Sequence, residues 1–189
     1  MDQVEIRVSG FGGQGIILAG YIIGKAAAIY DGRQATMAQA YGPEARGSAC
    51  SSQVIISDHP IRNPYVTHPQ ILVAMSQEAY DKFASELTPD GTLLIDETLV
   101  TAHGSAPDAH RIPATHLAEQ LGRKIVANIV MLGFFTAMTG VLGREAVREA
   151  VATSVPKAAI DLNMRAFDLG YDHGSGQPRT DLTAEVAAR

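Results

Sequence analysis

One cysteine, no tryptophan and an aromatic content of 6% over 189 residues are the scarcities that narrow the reading first. A lone cysteine excludes an internal disulfide and an iron–sulfur cluster held by this chain alone, because such a cluster rides on a set of thiolates. Cys50 itself reads as a small buried strand residue and not a reactive thiol. Positive charge is also in short supply: 15 Lys and Arg against 20 Asp and Glu leave a formal net charge of −5. The basic residues are scattered, so no stripe follows a phosphate backbone and nucleic acid is not an expected partner. No apolar run is long enough to span a bilayer, and the start, Met1-Asp2-Gln3-Val4-Glu5, lacks the basic and apolar segments of a signal peptide. Both features point to a cytoplasmic protein without a membrane partner.

Chemistry of other kinds is thin as well. The six histidines, at positions 59, 68, 103, 110, 116 and 173, show no metal-ligand spacing with acidic residues on one helical face. There is no G-x-S-x-G elbow, and Asp108 with His110 in a Pro- and Ala-rich stretch reads as a solvated connection, not part of a triad.

What is present is a packed domain. Hydrophobic residues make up 46% and charged residues 19%, with only 9 prolines, and a chain of this length buries roughly 70% of its unfolded surface. Residues 4–9 alternate apolar Val4, Ile6 and Val8 with charged Glu5 and Arg7 and end at a glycine cluster. A helix follows over residues 14–30, the opening half of a β-α-β unit. Further strands are expected at 35–40, 49–57, 71–75 and 92–96. Between the last two, Ser76 caps a helix and Pro89-Asp90-Gly91 turns the chain back, which makes those strands a parallel pair. From residue 115 the pattern is helical, over 115–121, 128–139, 144–154 and 157–169. Residues 125–135 are apolar on nearly every face, so that helix is buried in the chain's own core or under a partner. The fold class is therefore α/β, a three-layer α/β/α arrangement on a mainly parallel sheet with a helix-rich C-terminal half. One domain covers residues 1–172. The stretch from Gly174 to Arg179 lacks periodicity and opens a flexible tail within 173–189.

The glycine cluster carries the first candidate site. Gly10-Phe11-Gly12-Gly13-Gln14-Gly15 fits G-x-G-x-x-G between a strand and a helix, where that motif has physical meaning. Free N–H groups and the helix macrodipole, equivalent to about half a positive charge, favour an anion there. Dinucleotide binding also needs an acid at the end of the second strand, and Thr36-Met37-Ala38-Gln39-Ala40 offers none, while Asp31 precedes that strand. A Walker loop fails too, since Gly15 is followed by Ile16-Ile17 instead of Lys and Ser or Thr. The glycines also have a packing reading, in which they, with Gly20, Gly24 and Ala27-Ala28, let the helix lie close to the sheet. Both readings stay open at this point.

A second loop, Tyr41-Gly42-Pro43-Glu44-Ala45-Arg46-Gly47-Ser48, combines turn chemistry with an aromatic ring and two opposite charges. By spacing alone it is a turn with a surface Glu44–Arg46 pair worth little stability. The glycine loop, this loop, Ile71-Leu72-Val73-Ala74-Met75-Ser76-Gln77-Glu78-Ala79 and residues 128–133 occur in one order along the chain. In that order, over residues 4–169, the chain resembles the gamma subunits of 2-oxoacid:ferredoxin oxidoreductases, most closely those assigned to 2-oxoglutarate enzymes. The resemblance implies an assembly that decarboxylates a 2-oxoacid and releases an acyl-CoA, passing electrons to ferredoxin. It implies thiamine diphosphate, Mg and [4Fe-4S] on partner chains, namely alpha, beta and ferredoxin-like subunits. No catalytic residue is expected here. It further implies coenzyme A contact through Gly10, Gly12, Gly13, Gln14 and Gly15, with Tyr41, Gly42, Pro43, Glu44 and Arg46 as an interface or ligand loop. Two departures stand out: Ile16-Ile17-Leu18-Ala19 replaces the polar residues of related domains, and Ser48 replaces a glycine. A free-standing nucleotide-binding oxidoreductase and an independent coenzyme A-binding module are the alternatives.

Overall fold

The computed structural model describes residues 3–40, 49–103 and 108–176. Its six strands form one sheet in the order β2-β3-β1-β4-β5-β6. β1 (Gln3–Phe11) pairs in parallel with β4 (Ile71–Ala74), β4 with β5 (Thr92–Asp96), and β5 with β6 (His110–Ile112). On its other side β1 meets β3 (Ala49–Ser57), which runs antiparallel both to β1 and to β2 (Gln34–Ala40). β3 is the one reversed strand. The expected mainly parallel sheet is therefore present, with a difference at its first unit: β1 and β2 share a direction but β3 lies between them. A connection of residues 41–48 is too short for a crossover, so the chain can only return antiparallel to β2. β6 was not expected; three residues around His110 and Arg111 add a short parallel edge strand where the sequence reads as a solvated connection.

Helices cover both faces, giving three layers. α1 (Ile16–Lys25), α3 (Ala114–Gln120), α4 (Ala127–Thr139), α5 (Arg144–Ala152) and α6 (Ile160–Ser175) share the larger core with Val4, Ile6, Val8, Val54, Val73 and Leu94. α2 (Gln77–Phe83) builds a smaller core on the opposite face with Leu72, Ala74, Leu93 and Ile95. Ser76 caps α2 as its position predicts, its hydroxyl accepting from the Ala79 N–H at 3.2 Å. Because both faces are covered, the alternation in β1 does not mark a wet face. Arg7 is buried, its guanidinium 2.8 Å from Glu86, 4.5 Å over the Phe83 ring and donating to the Val66 carbonyl at 3.3 Å. Burial pulls the Arg7 pKa below its usual value, with Glu86 and Glu5 opposing that shift.

α4 settles the question raised by its all-round apolar surface: all thirteen of its residues are buried, and α6, α3, α5 and α1 supply the cover. Truncating a ring such as Phe134, which is fully buried, costs about 3–5 kcal/mol in a core of this kind. Glycine allows the α4–α6 approach. A Cβ on Gly170 would overlap the Val130 carbonyl, one on Gly133 would overlap the Phe167 carbonyl, and one on Gly174 would lie 2.7 Å from the Ala137 Cβ. For that reason α6 runs on to Ser175, past Gly174, where the sequence predicts a flexible link: these glycines serve contact, not chain freedom. Residues 177–189 of the expected tail lie outside the described residues.

Candidate functional site

α1 carries the chain from β1 toward the β2 side, and α2 carries it from β4 toward β5 on the other side and the other face. Between the carboxyl ends of the parallel neighbours β1 and β4 the connections diverge. That is a topological switch point, where open α/β sheets place their ligand crevice. The glycine-rich loop and the Met75-Ser76 turn form its two lips.

Within the loop the residues divide by role. Gly10 is still in β1, paired with Cys50, and a Cβ there would meet the Gln14 and Ile16 side chains. Gln14 is held at both ends: its Oε1 accepts from the Phe11 N–H at 2.6 Å and its Nε2 donates to the Met75 carbonyl at 2.8 Å. It thus bridges β1 to the end of β4 and fixes the width of the crevice. Gly15 is the N-cap of α1 at φ 75°, with its Cβ position filled by the Asn128 amide, which donates to the Gly15 carbonyl at 3.1 Å. Gly13, at φ 97°, faces open space with no atom within 4 Å of its Cβ position. No side chain caps α1, so the N–H groups of its first turn stay available beside Gly13.

A cleft of about 300 Å³ opens here. Gly13, Gln14 and Met75 form one wall, and Thr115, Lys124, Ile125 and Ala127 the other. Sequence reasoning singled out the first wall but missed the second, which comes from α3, the turn of Lys124–Val126 and the start of α4, more than a hundred residues along the chain from the glycine loop. No motif marked it: the exposure of Ile125, 66% just before a buried helix, shows only in the fold. The Lys124 ammonium pairs loosely with Glu119 at 3.9 Å, and its side chain is 63% exposed at the rim of the cleft.

Tyr41, Gly42, Pro43, Glu44 and Arg46 lie outside the described residues. Their anchors are placed, since β2 ends at Ala40 and β3 begins at Ala49, opposite Phe11, on the same sheet edge as the glycine loop. Asp31, the acid considered for a ribose, sits past the far end of α1, where its carboxylate accepts from the Gly143 N–H at 3.2 Å. Cys50 is buried in β3 as expected, and burial raises its thiol pKa. Among the described residues no group of three His, Cys, Asp or Glu is arranged to hold a metal ion, and no helix is long and apolar enough to cross a membrane.

Residues 5–173 match the family described as pyruvate ferredoxin/flavodoxin oxidoreductase. The chain belongs to that family. It is 49% identical over 173 residues to the 2-oxoglutarate synthase subunit KorC of Methanocaldococcus jannaschii, covering 89% of this chain and 92% of that protein. A solved gamma subunit of a keto/oxoacid ferredoxin oxidoreductase from Geobacter sulfurreducens superposes with a TM-score of 0.86 at 44% identity, covering 93% of this chain and 98% of that one. These relationships make it a gamma-type subunit of a 2-oxoacid:ferredoxin oxidoreductase, as the ordered motifs imply. The ketoisovalerate oxidoreductase subunit VorA of Methanothermobacter thermautotrophicus is 37% identical over 174 residues, which cover 90% of this chain but 36% of VorA. In that protein the gamma-type module is part of a longer chain.

Proposed function

We propose that this gamma-type subunit receives the phosphate-bearing part of coenzyme A in the cleft beside Gly13, within a complex that converts 2-oxoglutarate to succinyl-CoA, carbon dioxide and reduced ferredoxin. The observation that carries the reading is the placement of the cleft: a switch-point crevice joins the open Gly13 loop and the uncapped start of α1 to the Lys124 ammonium. N–H groups at a helix start and a nearby cation bind a phosphate without any loss of function to the scaffold. At about 300 Å³ the cleft lies at the small end of the roughly 300–1,000 Å³ typical of ligand sites, so a long coenzyme extends beyond it toward another subunit.

The oxidative chemistry belongs to partners. With one cysteine, itself buried in β3, this chain cannot ligate an iron–sulfur cluster, and the proposed assembly therefore includes alpha, thiamine diphosphate-binding beta and ferredoxin-like subunits in the cytoplasm. Thiamine diphosphate with Mg supplies the decarboxylation and [4Fe-4S] clusters the electron path, on those partners. The gamma-type chain contributes binding and orientation of the acyl acceptor. Three relatives named for 2-oxoglutarate synthase, at 45–49% identity, favour 2-oxoglutarate over pyruvate and 2-oxoisovalerate as the substrate.

The test is purification of the tagged chain from its own cells, followed by ferredoxin reduction with each of the three 2-oxoacids. The expected result is a co-purifying thiamine-binding partner and coenzyme A-dependent turnover with kcat/KM highest for 2-oxoglutarate. Recovery of the chain without such a partner, or turnover by the solitary chain, would end the reading.

A further inference from the structure

The sheet ends differently on its two sides. At one edge β6 is three residues long and carries the exposed Arg111, and shortness and charge are devices that keep an edge strand from pairing with another chain. At the other edge β2 has seven residues, Gln34-Ala35-Thr36-Met37-Ala38-Gln39-Ala40, with no charge and no proline. It matches β3 residue for residue, from Gln34 opposite Ser57 to Ala40 opposite Ser51, so no bulge twists it away either. Among the described residues no strand pairs with its outer side, and the N–H and C=O groups there form half of a ladder.

The helical layer beside β2 is apolar in the same place. Of the six large hydrophobic side chains exposed among the described residues, Tyr21, Ile29 and Tyr30 lie on α1 and the π-helical turn Ala26–Tyr30 that follows it, both packed against β2. Tyr21 is 50% exposed, and the Lys25 ammonium lies 5.8 Å from its ring centroid. That ammonium is held in place by the Thr153 carbonyl at 3.0 Å and the Ser154 hydroxyl at 3.2 Å. Met37 reaches the same level of α1, its methyl 3.4 Å from the Cβ position of Gly20.

We infer that β2 is a self-association edge, at which a second copy of this chain pairs antiparallel, β2 to β2, across a two-fold axis through Met37. A two-fold perpendicular to the sheet reverses the strand but keeps its faces, so the two sheets continue as one with both α1 helices on the same side. An axis at the central residue uses the whole strand: Met37 meets Met37, Thr36 meets Ala38 and Ala35 meets Gln39. Because the two-fold sets the strand against itself, any charge near the axis would oppose its own kind. Neutrality is therefore what self-pairing demands, whereas a partner of different sequence could answer a charge with its opposite. Gly20 sits at Ser52 and Gly24 at Val54, so α1 runs with β3 and against β2. The same axis then brings Tyr21 of one copy toward Lys25 of the other, ring to ammonium. No residue of the cleft takes part, and the inference does not depend on the coenzyme A reading.

Sedimentation equilibrium of the purified full chain over a concentration series tests this, with hydrogen exchange of the β2 amides read at both ends of the series. The expected result is a dimer at micromolar concentration whose formation slows exchange in residues 34–40. Tyr21→Lys turns an ammonium toward Lys25 of the other copy and should weaken the dimer roughly tenfold or more, while Tyr21→Phe keeps the ring and the dimer. Met37→Lys sets like charges at the axis and should abolish the dimer. Tyr65→Lys, an equal change at a side chain 66% exposed in the connection from β3 to β4, should leave the mass unchanged. Should Met37→Lys not fold, Tyr21→Lys carries the test, since Tyr21 is half exposed. A chain that stays monomeric throughout, or a dimer indifferent to Tyr21→Lys, overturns the inference. Protection of the β2 amides that arises only in the complex with partner subunits overturns it too, because the edge then receives a strand from a different chain.

Discussion

The seam between α4 and α6 and the loop between β1 and α1 are both built on glycine, for opposite physical reasons. In the seam, Gly133, Gly170 and Gly174 have ordinary helical backbones, and it is the missing side chain that matters, because neighbouring backbone or side-chain atoms occupy the Cβ positions. In the loop, Gly13 and Gly15 have positive φ, and at Gly13 the space around the Cβ position is empty. Filled space next to a glycine marks packing. Empty space beside a left-handed glycine at a switch point marks room for something else to arrive.

Alanine substitutions break this comparison into a graded series, read as shifts in denaturant midpoint. Gly170→Ala is expected to cost most, about 3–5 kcal/mol, because the overlap is with the Val130 carbonyl and only a shift of a whole helix relieves it. Gly15→Ala combines φ 75° with displacement of the Asn128 amide and is expected to cost about 2–3 kcal/mol. Gly13→Ala meets no atom and carries only the backbone penalty, about 1–2 kcal/mol, yet it should raise the KM for coenzyme A in the complex. Gly32→Ala, at φ 66° and also in open space but beyond the far end of α1, should cost about 1 kcal/mol and leave that KM unchanged. A Gly170→Ala protein as stable as the parent would mean that the helices are not in the contact described here.

The smallest expected effect concerns pH. Burial of His110 in β6 lowers its pKa from about 6.5, the nearby Asp108 opposing that shift in part. The unfolded chain then takes up the proton more readily than the folded one, so stability is full above about pH 6.5 and declines as the pH falls through it. Urea midpoints measured against pH should show that decline, and His110→Gln should flatten it. An unchanged slope in the variant would place His110 in water.

Much of this molecule was legible from its residues because the signals were local. The alternation of residues 4–9, the aliphatic run of 71–73 and the Ser76 cap each fix an element through neighbours in sequence, and five of the six strands among the described residues follow. β6 escaped because three residues are too few to show a period. The glycines of α6 misled because glycine breaks a solvated helix but helps a buried one, and only the partner helix tells the two apart. One wall of the cleft was visible as a glycine motif. The other was not, since Thr115 and Lys124 carry no motif and reach the loop only through the packing of α3 and α4. The burial of Arg7 carried no local signal either, since Glu86 and Phe83, which cover its guanidinium, lie far from it along the chain.

The central claim is that the open position at Gly13 is where a phosphate of coenzyme A rests. Calorimetric titration of the purified complex with coenzyme A, comparing the parent with Gly13→Asp and with Gly32→Asp, tests it most directly. A carboxylate introduced at Gly13 should weaken binding at least about tenfold by repelling the phosphate at short range, while the same change at Gly32 should leave affinity as it was. Equal affinity for all three proteins would contradict the account.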